Sequence, residues 1–189
     1  MKKIKRILIL TAACCLAGCG GTSPTTFIHP DYNFGFVERV AVVPFENLTN
    51  DQGAGARATR YFISGLLATE SFDVIEPGEV TEALAKHSLV RTAELTQEQA
   101  IAIGKELAVQ ALFLGSLGES ASVRSGSSNT NVVTLDVRMV ETDTGVTVWS
   151  TTNTETSGGF WSSLFGTGQK SKSEVTRICV ERSIGTLVR

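Results

Sequence analysis

The strongest constraint on the fold is a change in hydrophobic period along the chain. Residues 37–47 and 111–119 are nearly continuous apolar runs, which is typical of strands buried on both faces of a sheet. Residues 133–140 instead alternate between apolar and more polar side chains. That two-residue period predicts a half-exposed antiparallel strand. A chain that contains both kinds of strand is expected to build a mixed sheet.

Helical patterns lie between the predicted strands. Broad apolar faces over residues 56–69 and 79–90 predict two helices, separated by a short strand at 72–77. Thr96 and Gln99 form a capping-box pair that opens a third helix. The other predicted elements are strands at 111–119, 133–140 and 146–157, a hairpin turn at Gly145 and a final helix at 173–189. The order β-α-β-α-α-β-β-β-α predicts one α/β domain over 37–189, a three-layer-like sandwich with a mixed sheet.

The final predicted helix has apolar residues on two sides. The first side carries Val175, Ile178 and Cys179, and the second carries Val180, Ile184, Leu187 and Val188. A helix of this kind is either buried from both sides within one chain or shared with a neighbouring subunit. The sequence leaves both alternatives open.

The N-terminus has the plan of a bacterial secretory signal. Four cations within the first six residues precede a short apolar run that closes on "LAGC", ending at Cys19. This ending resembles the lipobox, in which the chain is cut before the cysteine and the cysteine carries the lipid. The resemblance implies a signal peptide at 1–18, lipidation of Cys19 and a lipidated tether at 19–36, which we expect to be mostly irregular. The two glycines after the cysteine favour the outer membrane. An ordinary signal peptide with an incidental cysteine is the alternative.

Removal of that signal changes the charge balance and the cysteine count. The four signal cations leave with it, so 13 of the 17 Lys and Arg remain against 19 Asp and Glu, a net charge of about −6. Such a chain lacks the clustered basic surface that a nucleic-acid partner needs. Cys14 and Cys15 are also removed, and lipidation of Cys19 leaves Cys179 alone. We expect Cys179 to be a small buried hydrophobic residue.

We expect no catalytic function. His29 and His87 lie far apart without metal-ligand spacing. The "GAGARATR" stretch lacks the Gly-Lys-Ser/Thr ending of a P-loop, and the serines of "VRSGSSN" have no histidine near them in sequence. The prediction is therefore no catalytic residue, no metal site and no cofactor.

Four stretches carry a family resemblance: "VAVVPFENLTND", "FDVIEP", "AIGKELAVQALFLGSL" and "VVTLDVRMVETDTGVTVWS". In this order they resemble the CsgG-type superfamily of outer-membrane lipoproteins, which includes the curli secretion channel and the PelC and LpoB lipoproteins. The resemblance covers about residues 37–189. It implies a periplasmic domain that assembles into rings at the outer membrane for export.

Channel-forming members of that superfamily open two insertions into membrane hairpins, and the matching segments here are 120–131 and 157–172. The first is polar throughout, and the second has only a short aromatic cluster. A membrane strand needs about 9–11 residues with alternate side chains facing lipid. We therefore expect no full transmembrane barrel.

The aromatic cluster of the second segment is predicted to contact a membrane or a partner, and its residues are Phe160, Trp161, Leu164 and Phe165. It resembles an interfacial anchor, because a Trp ring is half apolar and keeps its N–H in water at the membrane boundary. Lys170 and Lys172 would meet anionic headgroups. Contact with a neighbouring subunit or partner and packing back onto the domain are the alternatives.

Three functions from different classes are compatible with these features. The first is a structural, ring-forming component of an export system for a fibre subunit or a polysaccharide, lipid-anchored in the outer membrane and facing the periplasm, with other export-machinery proteins as partners. The second is a monomeric lipoprotein that regulates a periplasmic enzyme such as a peptidoglycan synthase. The short tether argues against it, since such a protein must reach across the periplasm. The third is an unrecognised hydrolase, which a pocket with converging titratable groups would support. We take the first as the working hypothesis.

Overall fold

The computed structural model describes residues 23–125, 128–158 and 170–188. Within these residues the chain forms seven strands, four α-helices and a short 3₁₀ helix at Phe34–Phe36. The strands are β1 Thr25–Ile28, β2 Arg39–Val42, β3 Glu46–Asn47, β4 Asp73–Val74, β5 Ala111–Ser125, β6 Ser128–Glu141 and β7 Thr147–Thr156. The helices are α1 Ala54–Ala68, α2 Pro77–Lys86, α3 Gln97–Leu107 and α4 Lys172–Ile184.

The strands form one mixed sheet in the order β1-β7-β6-β5-β2-β4, with β3 pairing to β5 beyond the end of β2. Strand β2 runs parallel to β4 and β5, while β5, β6, β7 and β1 are antiparallel to their neighbours. The predicted mixed sheet is therefore confirmed, and the predicted element order from β2 to α4 holds except that the stretch 37–47, predicted as one strand, forms the two strands β2 and β3. The capping box of α3 is also confirmed, because Thr96 Oγ1 accepts from the N–H of Gln99 and the Gln99 side chain accepts from the N–H of Thr96.

Helices cover the sheet on both faces and give the predicted three layers. On one face, the covered face, α1 and α4 enclose the larger core, which includes Trp149, Phe62 and Phe113. On the other face, α2 and α3 enclose a second core over β2 and β5. The antiparallel part of that second face, formed by β6, β7 and β1, carries polar side chains. We call this part the open face.

Helix α4 uses both of its apolar sides within a single chain. Val175, Cys179, Val180 and Ile184 are all buried, against the sheet on one side and α1 on the other. Val188, just beyond the helix, keeps 37% of its surface exposed. Of the two alternatives, burial within one chain accounts for these four side chains. Cys179 is the small buried residue that the sequence predicts.

The segment expected to be mostly irregular, 19–36, contains more structure than predicted. Thr25–Ile28 forms the edge strand β1 on β7, and Tyr32 and Phe34 pack on the larger core with ring centroids 4.9 Å apart. The four strand residues are β-branched or aromatic, which suits a pleated edge. Only its first four residues, 19–22, lie outside the described residues.

Residues 120–131, expected to be a polar insertion, belong mostly to a long hairpin. Pairing of β5 with β6 continues from Ala111↔Glu141 to Ser125↔Ser128, interrupted by an irregularity between Leu117 and Glu119. The pairing of β6 with β7 stops at Val132↔Thr156. The hairpin therefore projects past the rest of the sheet as a two-stranded arm.

Candidate functional site: the loop-bearing end

Both predicted insertions leave the sheet at the same end of the domain. The arm of β5 and β6 projects there, β7 finishes there at Thr156, and α4 begins there at Lys172. Strand β1 runs away from this end, because it is antiparallel to β7, and it begins at Thr25, which pairs with Thr152 four residues before the end of β7. We call this the loop-bearing end. Cys19 and the four predicted contact residues, Phe160, Trp161, Leu164 and Phe165, lie outside the described residues.

Asn131 ties both flanks of the 159–169 segment to the arm. Its N–H donates to Ser157 Oγ at 2.8 Å, and its carbonyl accepts from the N–H of Ser157 at 2.8 Å. On the other flank, Asn131 Nδ2 donates to the carbonyl of Lys170 at 2.8 Å. Its Oδ1 accepts from Ser122 Oγ at 2.6 Å. One residue of the arm thus fixes where the segment leaves the sheet and where it returns.

Asp51 joins three elements beside that clamp. Its Oδ2 accepts from Arg57 Nη2 of α1 and from Ser120 Oγ of β5, each at 2.7 Å, and lies 3.5 Å from Lys172 Nζ of α4. The carboxylate keeps only 17% of its side-chain surface exposed. The Arg57 guanidinium relies on the Asp51 carboxylate as its charged partner, because Arg57 Nε is buried without a hydrogen-bond partner among the described residues. The Asp51 cluster therefore locks the β3–α1 loop to the arm and to the start of α4.

The surroundings of Asp51 keep it ionised. The hydrogen bond from Ser120 is the largest cause lowering the pKa of the Asp51 carboxyl, burial acts against it, and Arg57 and Lys172 lower the pKa further. Because Lys172 lies against Asp51, with 37% of its side chain exposed, Lys170 is the more accessible cation at this end. The expectation that both lysines meet anionic headgroups stays a prediction.

Sequence reasoning missed Asp51, Ser120 and Asn131. All three stand in stretches interpreted as a loop or a polar insertion, and Asp51 and Ser120 are 69 positions apart in the chain. Only the sheet register brings them together. The one signal available in the sequence was the presence of polar residues near each predicted insertion. Such residues are too common in loops to single out Asp51, Ser120 and Asn131.

The described residues offer little catalytic chemistry. Cys179 is fully buried, and burial raises the pKa of its thiol to about 12. His87 contacts Glu106 at 2.7 Å on the surface. Within the described ranges, no group of three His, Cys, Asp or Glu side chains is arranged to hold a metal ion. No helix in the same ranges is long and apolar enough to cross a membrane.

No family model and no curated protein matches this sequence. Solved structures do match its fold. A dodecamer of a PelC point variant from Paraburkholderia phytofirmans aligns with a TM-score of 0.58 and 17% identity, covering 87% of this chain and 98% of that one. Lipoprotein GNA1162 from Neisseria meningitidis aligns with a TM-score of 0.56 and 14% identity over 80% and 98% of the two chains. The hypothetical protein CT253 from Chlamydia trachomatis gives 0.52 and 12% identity over 80% and 94%. At these identities the likeness shows that the chain shares a fold with PelC and with a lipoprotein.

Proposed function

We propose that this chain is a CsgG-type outer-membrane lipoprotein, anchored through a lipid on Cys19 and facing the periplasm. In this proposal it is a ring-forming structural subunit of an export system for a fibre subunit or a polysaccharide, and it has no catalytic role. The observation that carries the proposal is the direction of β1: the chain enters this strand from the side of the loop-bearing end, where both flanks of the 159–169 segment also lie.

Chain length brings the lipid close to that end. The first described residue, Ser23, precedes Thr25, which pairs with Thr152 four residues before the end of β7. Ser23 is four steps along the chain from Cys19, and four steps span at most about 14 Å. A lipid on Cys19 therefore holds the loop-bearing end, rather than the opposite end, against the membrane. The same short reach argues against a regulator that must cross the periplasm.

The aromatic cluster suits that orientation. Each large aromatic side chain buries about 200 Å², so the cluster contributes several kcal/mol in the membrane interface at about 25 cal/mol per Å². Lys170 follows the cluster in sequence, is exposed and suits anionic headgroups. Support for the ring comes from the fold, which is shared with PelC chains that form dodecamers. In a ring, weak membrane contacts add through effective concentration.

Metabolic labelling tests the lipid. The full chain, expressed in a Gram-negative host, should incorporate labelled palmitate and fractionate with the outer membrane. The Cys19→Ala variant should lose the label. A wild-type chain that takes up no label would contradict the proposed anchor.

Vesicle flotation tests the aromatic cluster separately from the lipid. The protein starting at Gly20 contains every described residue. It should float with vesicles that contain anionic phospholipid, and Trp161→Ser should lower the bound fraction. Phe36→Ser is the matched control, because Phe36 is 75% exposed and precedes β2, which starts at the opposite end. Equal losses in the two variants would argue against a specific membrane contact, provided that both keep the wild-type circular dichroism spectrum.

A further inference from the structure

The surface between α1 and α4 contains an apolar groove of about 410 Å³. Its floor is formed by small and aliphatic residues near the ends of both helices: Gly65, Ala68, Ile184, Gly185 and Val188. The helices approach closely here, since a Cβ on Gly65 would lie 2.5 Å from Ile184 Cδ1. Arg177 and Glu181 stand at the rim as an ion pair of 2.6 Å. The groove therefore has an apolar floor and one charge of each sign beside it.

The open face of the sheet lies on the opposite side of the domain. Phe27 pairs with Ser150, and Ser150 pairs with Arg138, so the three side chains form one row on this face. Asp136 lies two residues from Arg138 on the same strand face and accepts from Thr152 Oγ1 at 2.6 Å. Phe27 keeps 47% of its surface exposed. This face therefore presents an exposed aromatic side chain on its edge strand and one charge of each sign on β6, two strands away.

The groove and Phe27 lie at about the same height along the strands. Thr186 follows Gly185 of the groove floor, and its Oγ1 accepts from Trp149 Nε1 at 3.2 Å. Trp149 pairs with Ile28, the residue after Phe27. The Gly185 end of the groove and Phe27 therefore lie over the same part of β7, on opposite faces of the sheet. One faces out from the covered face and the other from the open face.

We infer that a second copy of this chain occupies the groove: the open face of one copy, through Phe27 on its edge strand β1, docks on the α1–α4 groove of the next. This inference rests on the proposed ring. A closed ring requires head-to-tail contacts between two different surfaces. Copies anchored in one membrane must also lie at the same distance from that membrane. Two contact surfaces at equal height on opposite sides of the domain satisfy this condition.

Charge supports the same pairing. The open face carries Asp136 and Arg138, and the groove rim carries Arg177 and Glu181. In the described structure Arg138 donates only to backbone carbonyls, those of Ala93 and Leu95, each at 3.3 Å. We expect docking in the orientation that sets Asp136 against Arg177 and Arg138 against Glu181, because unlike charges then face each other across the contact.

Disulfide trapping tests the contact in the full-length, processed protein. Thr25 lies beside Phe27 on β1, and Ala68 lines the groove. The variant with Thr25→Cys and Ala68→Cys should give a ladder of disulfide-linked species on mild oxidation. Within one copy these residues lie on opposite sides of the sheet, too far apart for the separation of less than about 7 Å that a disulfide needs. Cys179 is buried and does not interfere.

Thr25→Cys combined with Glu79→Cys is the matched control, because Glu79 is exposed on α2, away from the groove. A ladder in the first pair alone supports the inference. Three outcomes would overturn this contact: equal ladders in both pairs, disulfide-linked dimers alone, or no ladder. If light scattering still finds a large assembly in these cases, the proposed ring remains intact. A monomer by light scattering would overturn both.

A second variant measures the apolar contact directly. Phe27→Asp should reduce the assembled fraction about tenfold at equal protein concentration, as expected for a central interface residue. Phe36→Asp, on a side chain that is 75% exposed and lines neither the groove nor the open face, should leave assembly unchanged. Equal assembly of the two variants would overturn the inference.

Discussion

The larger core and the loop-bearing end are held together by different forces. In the core, Phe62, Phe113 and Trp149 are fully buried, with neighbouring ring centroids 5.2 and 6.2 Å apart. At the loop-bearing end, two polar side chains, Asp51 and Asn131, connect the loop before α1, the arm and the start of α4 through hydrogen bonds and charge. Apolar burial is not directional and depends little on pH, whereas a carboxylate cluster is directional and depends on its charge.

This difference separates stability from function within one domain. The core specifies the sheet and keeps it rigid. The polar end positions the segment that we propose to meet the membrane, and its connections respond to pH and to the loss of single hydrogen bonds. Substitutions in the two regions should therefore differ in size and in pH dependence.

The largest effect is expected in the core. Leu135→Ala removes a side chain that is 1% exposed, so the free energy of unfolding should fall by about 2–5 kcal/mol. Urea denaturation of the purified protein measures it. Thr152→Ala, on the exposed side of the neighbouring strand, loses only a hydrogen bond to Asp136 and should cost about 1 kcal/mol or less. Similar losses in the two variants would contradict the distinction between the covered face and the open face.

A smaller, pH-dependent effect is expected at Asp51. Asp51→Asn should lower the free energy of unfolding by about 1–3 kcal/mol at pH 7, because Arg57 then loses its charged partner. The folded pKa of Asp51 is lowered, so its stabilisation is complete above the unfolded value of about 3.9 and is lost as the pH falls through the folded value. The gap between wild type and variant should therefore close in acid.

Asp73→Asn is the control for that experiment. Asp73 also pairs with an arginine, Arg39, at 3.4 Å, but 74% of its side chain is exposed. An exposed pair of this kind contributes about 0–1 kcal/mol. An Asp51→Asn effect that is no larger than the Asp73→Asn effect, or that is unchanged at pH 3, would show that the cluster is not the electrostatic clamp described above.

The smallest effect on global stability is expected at Asn131. Asn131→Ala removes the hydrogen bonds to Lys170 and Ser122 and should cost about 1 kcal/mol, independent of pH. The local effect should be larger: the 159–169 segment should be cleaved faster by a protease in limited digestion, since its return point is no longer tied to the arm. An unchanged cleavage rate would show that Asn131 does not hold the 159–169 segment in position.

The sequence was sufficient for the order of elements, because hydrophobic period is a local property. The alternation from Val133 to Val140 reflects the fact that every second side chain of β6 faces the larger core. The α3 capping box was also predictable, since Thr96 and Gln99 are three residues apart. Burial of Cys179 followed from its apolar neighbours.

The remaining features depend on contacts between distant parts of the chain. Strand β1 was missed because its four residues have no partner near them in sequence, and they pair with β7 more than 120 positions away. The polar arm has no apolar period, so its pairing follows from the register of the hairpin that it extends. The Asp51 cluster joins a loop, a strand and a helix start, which only the folded sheet brings together.

The mass of the processed full-length protein in mild detergent, measured by light scattering, tests the central claim most directly. The proposed ring predicts one discrete assembly of many copies, stable on dilution, with the loop-bearing ends on a common rim. A monomer at every protein and detergent concentration would contradict the ring, and would favour a lipoprotein that acts singly on a periplasmic partner.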